Sequence, residues 1–120
     1  MKQADSFGNF LRERRLGKAA DDATFSLRKL ADRVGIEPSY LSKIERGEQP
    51  PPGEEMIRRI ADELGEDRDI LLAMAGKVSG DLLEIIRQRP VLVAELLRSI
   101  RHAPASRISK MARQVRDGDW

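Results

Sequence analysis

One short segment of the chain concentrates side chains that can donate hydrogen bonds to a polar or charged partner. The segment from Gly35 to Pro52 reads GIEPSYLSKIERGEQPPP, with glycine and proline at both ends. Hydroxyl, ammonium and guanidinium groups occupy much of one side of its short helix, at Ser39, Tyr40, Ser42, Lys43 and Arg46. Such groups bind phosphate oxygens and the hydrogen-bonding edges of bases. The segment therefore indicates a recognition surface.

The chain offers little for catalysis. It has no cysteine, which excludes disulfides, thiolate metal sites and a cysteine nucleophile. His102 is the only histidine, and it lies near the end of a predicted helix, where a partial positive charge is favourable. We find neither a Ser–His–acid constellation nor a phosphate-binding glycine loop in the sequence. We predict that the protein is not an enzyme and uses no cofactor or metal ion.

Length and composition limit the class of protein. The 120 residues correspond to about one domain, and 40% are hydrophobic but only 4% aromatic, so leucine, isoleucine, valine and alanine must build the core. No apolar run approaches the roughly 20 residues of a membrane span, and the first ten residues lack the apolar centre of a signal peptide. We expect a cytoplasmic protein without membrane association. Because the formal net charge is only +2, a nucleic-acid partner must be argued from charge placement.

The apolar residues of the first part of the chain are spaced as in helices, and no segment shows the two-residue period of a strand. A first helix is predicted to end at about Leu16, followed by the polar connector GKAADDATF, which has the character of a loop. A second helix is predicted over Leu27 to Val34. Ser26 before it is a good N-cap, and Gly35 after it fits a left-handed C-cap.

The helical spacing continues to the end of the sequence. One stripe runs from Ile57 to Leu64, and Asp67 can cap a short helix whose apolar residues are Ile70, Leu71 and Met74. Beyond Gly76, two apolar stripes flank Pro90, and a weaker one with basic neighbours follows Pro104. The two stripes either cover the core or bind a second subunit, and we favour dimerisation. The last segment is open to three interpretations: a frayed end, a DNA-touching arm or a partner-binding extension.

The segment from Leu27 to Arg46 has the pattern of a helix-turn-helix. Gly35 can take a positive φ at the sharp turn, Ala31 allows close approach of the two helices, and Pro38 begins the second helix without losing a hydrogen bond. The predicted buried positions are Leu30, Val34, Ile36, Leu41 and Ile44. In this motif the second helix places its N-terminal half in a DNA groove, which explains why it is short and polar outside.

The string LRKLADRVGIEPSYLSKIERGEQPPP, followed by IRRIADELG, resembles the Xre/Cro-type helix-turn-helix regulators, the group that includes the lambdoid phage repressors. The resemblance covers roughly Phe7 to Ala75. It implies an all-α fold with a five-helix domain that binds double-stranded DNA, usually as a dimer on a palindromic operator. We accordingly expect a lambda-repressor-like domain over residues 1–77. Additional C-terminal helices over residues 78–120 would serve dimerisation or partner binding.

The resemblance also implies which residues bind DNA. The positions that face base edges are Pro38, Ser39, Ser42 and Lys43. The positions that meet the phosphate backbone are Ser26, Arg28, Tyr40 and Arg46. Glu45 matches a family position that makes internal contacts. The chain departs from the pattern at Leu27, where many members have glutamine, and at Glu37, where serine or threonine usually caps the recognition helix.

These observations lead to one hypothesis and two alternatives. The hypothesis is a sequence-specific DNA-binding transcriptional regulator, a repressor that occupies a palindromic operator as a homodimer and blocks polymerase. The first alternative is the DNA-binding antitoxin of a toxin–antitoxin pair, in which the tail grips the toxin. The second is a helical adaptor that binds a protein through its C-terminal helices. Selection of sites from random DNA separates a regulator from an adaptor, and co-purification with a small partner identifies an antitoxin.

Overall fold

The computed structural model describes residues 3–118, with side chains from residue 7 onward. Every regular element in this range is helical, which confirms the predicted all-α class. A single turn of 3-10 helix spans Ala23–Phe25. The α-helices are α1 (Gln3–Ala19), α2 (Leu27–Val34), α3 (Pro38–Glu45), α4 (Glu54–Leu64), α5 (Arg68–Met74), α6 (Gly80–Gln88), α7 (Pro90–Ile100) and α8 (Ala105–Asp117). The chain divides after Ser79 into two compact units, α1 to α5 and α6 to α8.

The first unit is built around one apolar core. The core side chains are Phe7, Leu11, Leu30, Ala31, Val34, Leu41, Ile44, Ile57, Ile60, Ala61, Leu64, Leu71 and Leu72. The stripes predicted for α2, α3 and α4 supply most of them, so the helical periods assigned to those segments are confirmed. Ile36 is only partly buried, which corrects the prediction of a fully buried residue there. It lies in the turn after Gly35, where the chain runs along the edge of the core.

The apolar face of α5 includes Leu71 and Met74 as predicted, but it also includes Leu72 and excludes Ile70. Ile70 is 59% exposed, whereas Leu71 and Leu72 are fully buried. Asp67 caps this helix as predicted, because its carboxylate accepts hydrogen bonds from the backbone N–H groups of Asp69 and Ile70. The helix has only seven residues. In so short a helix, the run Ile70, Leu71 and Leu72 allows two different faces to be the apolar one. Packing against the core decides which face is buried.

The connector after α1 is more ordered than the sequence suggested. α1 continues through Leu16 to Ala19, and after three residues of turn the 3-10 helix begins at Ala23. The Asp22 carboxylate accepts hydrogen bonds from the hydroxyl and the N–H of Thr24, and these bonds lower the pKa of Asp22. The ring of Phe25 faces two cations, with the Lys18 ammonium 5.5 Å and the Arg33 guanidinium 4.9 Å from its centroid. These contacts order the connector: its first three residues extend α1, its last three form the 3-10 turn, and the three residues between them keep the predicted loop character.

The second unit has no fully buried hydrophobic residue among those described. The weak stripe after Pro104 forms the 13-residue helix α8. In the second unit as a whole, the large apolar side chains with at least two fifths of their surface exposed are Leu82, Ile85, Val91, Leu92, Leu96, Leu97, Met111 and Val115. An open groove between α7 and α8 is lined by apolar side chains and one arginine: Leu96, Ile100, Ile108, Met111, Ala112, Val115 and Arg116. Among the described helices, none has the length and apolar character that crossing a membrane requires.

Candidate nucleic-acid interface

The helix-turn-helix is formed by α2 and α3, and its turn has the predicted geometry. Gly35 has a φ of 85°, and the N–H groups of Gly35 and Ile36 both donate to the carbonyl of Ala31, at 2.9 and 3.0 Å. The Ser26 hydroxyl accepts a hydrogen bond from the N–H of Lys29, which confirms the N-cap. Ala31 is fully buried. A side chain with a Cβ would be strained at this φ, so glycine fixes the angle at which α3 leaves α2.

The face that α3 turns outward carries the predicted base-facing residues. Leu41 and Ile44 are fully buried on the opposite face. Ser39 and Lys43 are exposed, whereas Pro38 and Ser42 are partly buried. Glu37 stands at the N-cap position but its side chain makes no capping hydrogen bond. The first turn of α3 therefore has no side-chain cap; Pro38 has no N–H group, and the N–H of Tyr40 donates to the carbonyl of Glu37 at 3.0 Å.

The residues predicted to face phosphates differ in their exposure and in the hydrogen bonds that they already make. Arg28 is exposed, whereas Tyr40 is partly buried and packs against the core. The Ser26 hydroxyl is used in capping α2. The Arg46 guanidinium bonds the carbonyl of Ser42 and pairs with Glu48 at 2.9 Å. Since both charged side chains of that pair are about half exposed, it contributes at most about 1 kcal/mol and can exchange for another anion.

A hollow of about 210 Å³ lies beside these residues and includes a cation that the sequence analysis did not identify. Its lining comes from α1, the start of α2 and the end of α3: Arg12, Arg15, Leu27, Ser42, Glu45 and Arg46. Arg12 is exposed on α1. It lies 30 positions from Ser42 in the chain, and nothing local connects the two. The sequence indicates only that Arg12 lies on the polar side of α1, because the apolar side of that helix can be predicted from the spacing of its hydrophobic residues.

A buried ion pair joins α1 to the last turn of α3. The Arg15 guanidinium donates two hydrogen bonds to the Glu45 carboxylate, Nε to Oε2 at 2.8 Å and Nη2 to Oε1 at 2.9 Å. Its Nη1 donates to the carbonyl of Phe25 at 3.3 Å. The hydrogen bonds to Glu45 raise the pKa of Arg15. Glu45 thus makes the internal contacts expected of it, and Arg15 is its buried partner.

The chemistry of this surface is hydrogen bonding and charge. Cationic and hydroxyl groups line its rim, and the one carboxylate in its floor, Glu45, is already neutralised by Arg15. In the part of the chain that the structure describes, no three acidic or histidine side chains converge as metal ligands would. The surface is suited to an extended anion with hydrogen-bonding groups.

Comparisons with known proteins agree with this geometry. A family model described as a helix-turn-helix domain matches residues 6–73, more than half of the chain. Two curated proteins of Mycobacterium tuberculosis, from strains CDC 1551 and H37Rv, are each 35% identical over 69 residues, and both are named HTH-type transcriptional regulators. The match covers 58% of this chain and 45% of each relative. The chain thus spans less than half the length of these relatives.

Two solved structures of the clp gene regulator ClgR from Corynebacterium glutamicum are also similar. One is 28% identical with a TM-score of 0.51 and covers 63% of this chain and 91% of its own. The other is 25% identical with a TM-score of 0.52 and covers 84% of this chain and 96% of its own. With the family match over α1 to α5, these similarities establish that the chain belongs to the family of helix-turn-helix transcriptional regulators.

Proposed function

We propose that the protein binds DNA in a sequence-specific manner and regulates transcription, with α3 as the helix that reads bases. The observation that carries the proposal is the placement of Ser39 and Lys43 on the exposed face of α3, opposite a face buried in the core. Side chains on a short helix anchored in this way can enter the major groove without disturbing the fold. The simplest mechanism of regulation is repression by occupation of an operator. That the protein represses and does not activate transcription is inferred by analogy within the family.

Phosphate contacts would position α3 on the duplex. Arg12, Arg28 and Arg46 are exposed around the start of α2 and the hollow beside it. Leu27 cannot donate a side-chain hydrogen bond, and we assign that role to the guanidinium of Arg12. Contacts of this kind fix register and supply affinity, while base contacts supply sequence preference.

We also propose that two copies bind together through the second unit. A 41-residue unit whose described residues include no fully buried hydrophobic side chain lacks a core sufficient for its own stability. Seven of its eight large exposed apolar side chains, all but Val91, would be covered by the same surface of a second copy. A two-fold dimer would then read two half-sites about one DNA turn apart, which predicts a palindromic operator.

The first test is selection of bound sites from a random DNA pool, followed by titration of the selected site. Ser39→Ala and Lys43→Ala are each expected to weaken binding by about 1–3 kcal/mol for every base that the side chain recognises, with relaxed preference at that base pair. Lys77→Ala is the matched control, since it removes an exposed lysine of the same unit outside the helix-turn-helix. Unchanged affinity and unchanged preference in both α3 variants would reject α3 as the reader.

Arg12→Gln should behave differently in the same titration. We expect affinity to fall by a similar factor for the selected site and for random DNA, because a phosphate contact carries no sequence information. The slope of log affinity against log salt should fall by about 0.9, as for one counterion. A change in base preference with an unchanged salt slope would show that Arg12 is not a phosphate contact.

Dimerisation can be tested with two substitutions on one helix. Leu92 belongs to the apolar face of α7, whereas Val91 lies about 100° away around the helix and is 68% exposed. Leu92→Glu is expected to shift the mass in sedimentation equilibrium from dimer to monomer, because it introduces a charge into the shared surface. Val91→Glu should leave the mass unchanged. A wild-type protein that sediments as a monomer at all concentrations would disprove this part of the proposal.

A further inference from the structure

The positive charge of the protein does not reside in its helix-turn-helix unit. Residues 1–79 contain 14 lysines and arginines against 15 acids, a formal charge of −1. Residues 80–120 contain 8 against 5, a formal charge of +3. Attraction between a protein and the DNA backbone depends on cations that neutralise phosphates. The unit that carries α3 has no net positive charge, so its attraction to DNA depends on a few local cations, and the excess charge of the second unit requires an explanation.

Ion pairing sharpens this contrast. Most arginines of the first unit pair with acids, as in the pairs Arg14–Glu66, Arg33–Glu63 and Arg68–Asp62. On α8, Arg107, Lys110 and Arg113 are exposed, and among the described residues no acid lies within ion-pair distance of any of them. Arg116 pairs with Asp117, the only acid in α8. Three cations of α8 are therefore available to an external anion.

Lys110 and Arg113 lie on the side of α8 opposite its apolar residues, and Arg107 lies at the edge between the two sides, beside Met111. The apolar residues are Ile108, Met111, Ala112 and Val115, and they face the groove shared with α7. Arg107, Lys110 and Arg113 follow one another at three-residue steps, so they span about 9 Å of helix axis. One strand of DNA carries about three phosphates over that length. These charges of α8 thus match a short stretch of a DNA strand in number and spacing.

We propose that the polar face of α8 is a second DNA-binding element, which contacts backbone phosphates and carries no base specificity. The inference rests on the proposed function, since it takes DNA as the ligand of the protein. It assigns the two tasks of recognition to different units. Base reading belongs to α3, and much of the salt-dependent affinity belongs to α8.

The test compares three triple variants by titration with the selected site and with random DNA between 50 and 200 mM salt. Arg107→Gln, Lys110→Gln and Arg113→Gln together should lower the salt slope by up to about 2.7, so that the wild type loses roughly 40-fold more affinity over this range than the variant does. Affinity for both DNAs should fall by the same factor, with base preference unchanged. The charge-preserving set Arg107→Lys, Lys110→Arg and Arg113→Lys should retain the wild-type slope.

The matched control removes equal charge from the same unit outside α8, through Arg89→Gln, Arg98→Gln and Arg101→Gln. We expect a much smaller change in slope, because these cations act only through net charge. An unchanged slope in the α8 variant, or an equal change in the control, would overturn the inference. So would weaker binding of the α8 variant to anionic phosphatidylglycerol vesicles with its DNA affinity unchanged. These failures differ from failure of the proposed function, in which the wild type itself shows no site preference.

Discussion

Replacement of Glu45 by leucine is expected to lower the free energy of unfolding by about 3–5 kcal/mol. Leucine fills about the same volume as the glutamate side chain but accepts no hydrogen bond. The Arg15 guanidinium is then left with a single weak acceptor, the carbonyl of Phe25 at 3.3 Å. Arg15 and Glu45 are both buried at the floor of the hollow, so the guanidinium has little solvent contact to compensate for the missing carboxylate. The double variant Arg15→Met with Glu45→Leu should recover most of the stability, because a buried ion pair can be exchanged for apolar residues at little cost. Urea denaturation followed by circular dichroism measures each value.

The exposed pair of Arg33 and Glu63 provides the control. It also joins two helices, at 3.0 Å, but about a third of each side chain is exposed. Glu63→Leu should therefore cost less than about 1 kcal/mol. If Glu45→Leu cost no more than Glu63→Leu, the pair of Arg15 and Glu45 would have no special part in fixing α3 against α1. A destabilised double variant would show that the recovery argument fails at this site.

Sequence analysis predicted the features that depend on residues close together in the chain. Ser26 and Gly35 flank the eight residues of α2, whose apolar side chains repeat with the helical period. The Ser26 side chain caps the start of the helix by a hydrogen bond, and the positive φ of Gly35 ends it. The small residue Ala31 marks the close approach of α2 and α3 in the same way. Such signals need no knowledge of the rest of the chain, which is why the helix-turn-helix was predictable almost residue by residue.

The features that sequence analysis missed depend on residues far apart in the chain. Arg15 and Glu45 are separated by 30 positions, so the sequence could show two charges but not their pairing. The Phe25 ring in the connector is held by cations from both α1 and α2, which local sequence could not show. Arg12 belongs to the candidate site only because α1 passes beside the end of α3.

Gly8→Ala is expected to destabilise the protein by about 1–3 kcal/mol or more, although alanine is the better helix former. Gly8 lies in α1 where the helix passes directly over the end of α3. A Cβ at this position would clash with the carbonyl oxygen of Ile44 and would lie 2.7 Å from that of Glu45. Both neighbours are backbone atoms, so no side-chain rotation can relieve the contact. Thermal unfolding of the variant and the wild type measures the difference.

Gly17 lies in the same helix and tests the sign of the effect. A Cβ at Gly17 would meet no atom within 4 Å, so Gly17→Ala should stabilise the protein by up to about 1 kcal/mol through helix propensity alone. Stabilisation by both substitutions would show that α1 does not need to approach α3 so closely. Opposite signs would show that Gly8 sets the distance between these helices. Gly8→Ala should then also weaken DNA binding at temperatures where the variant remains folded, because α1 supports the last turn of α3, the helix that we propose reads bases.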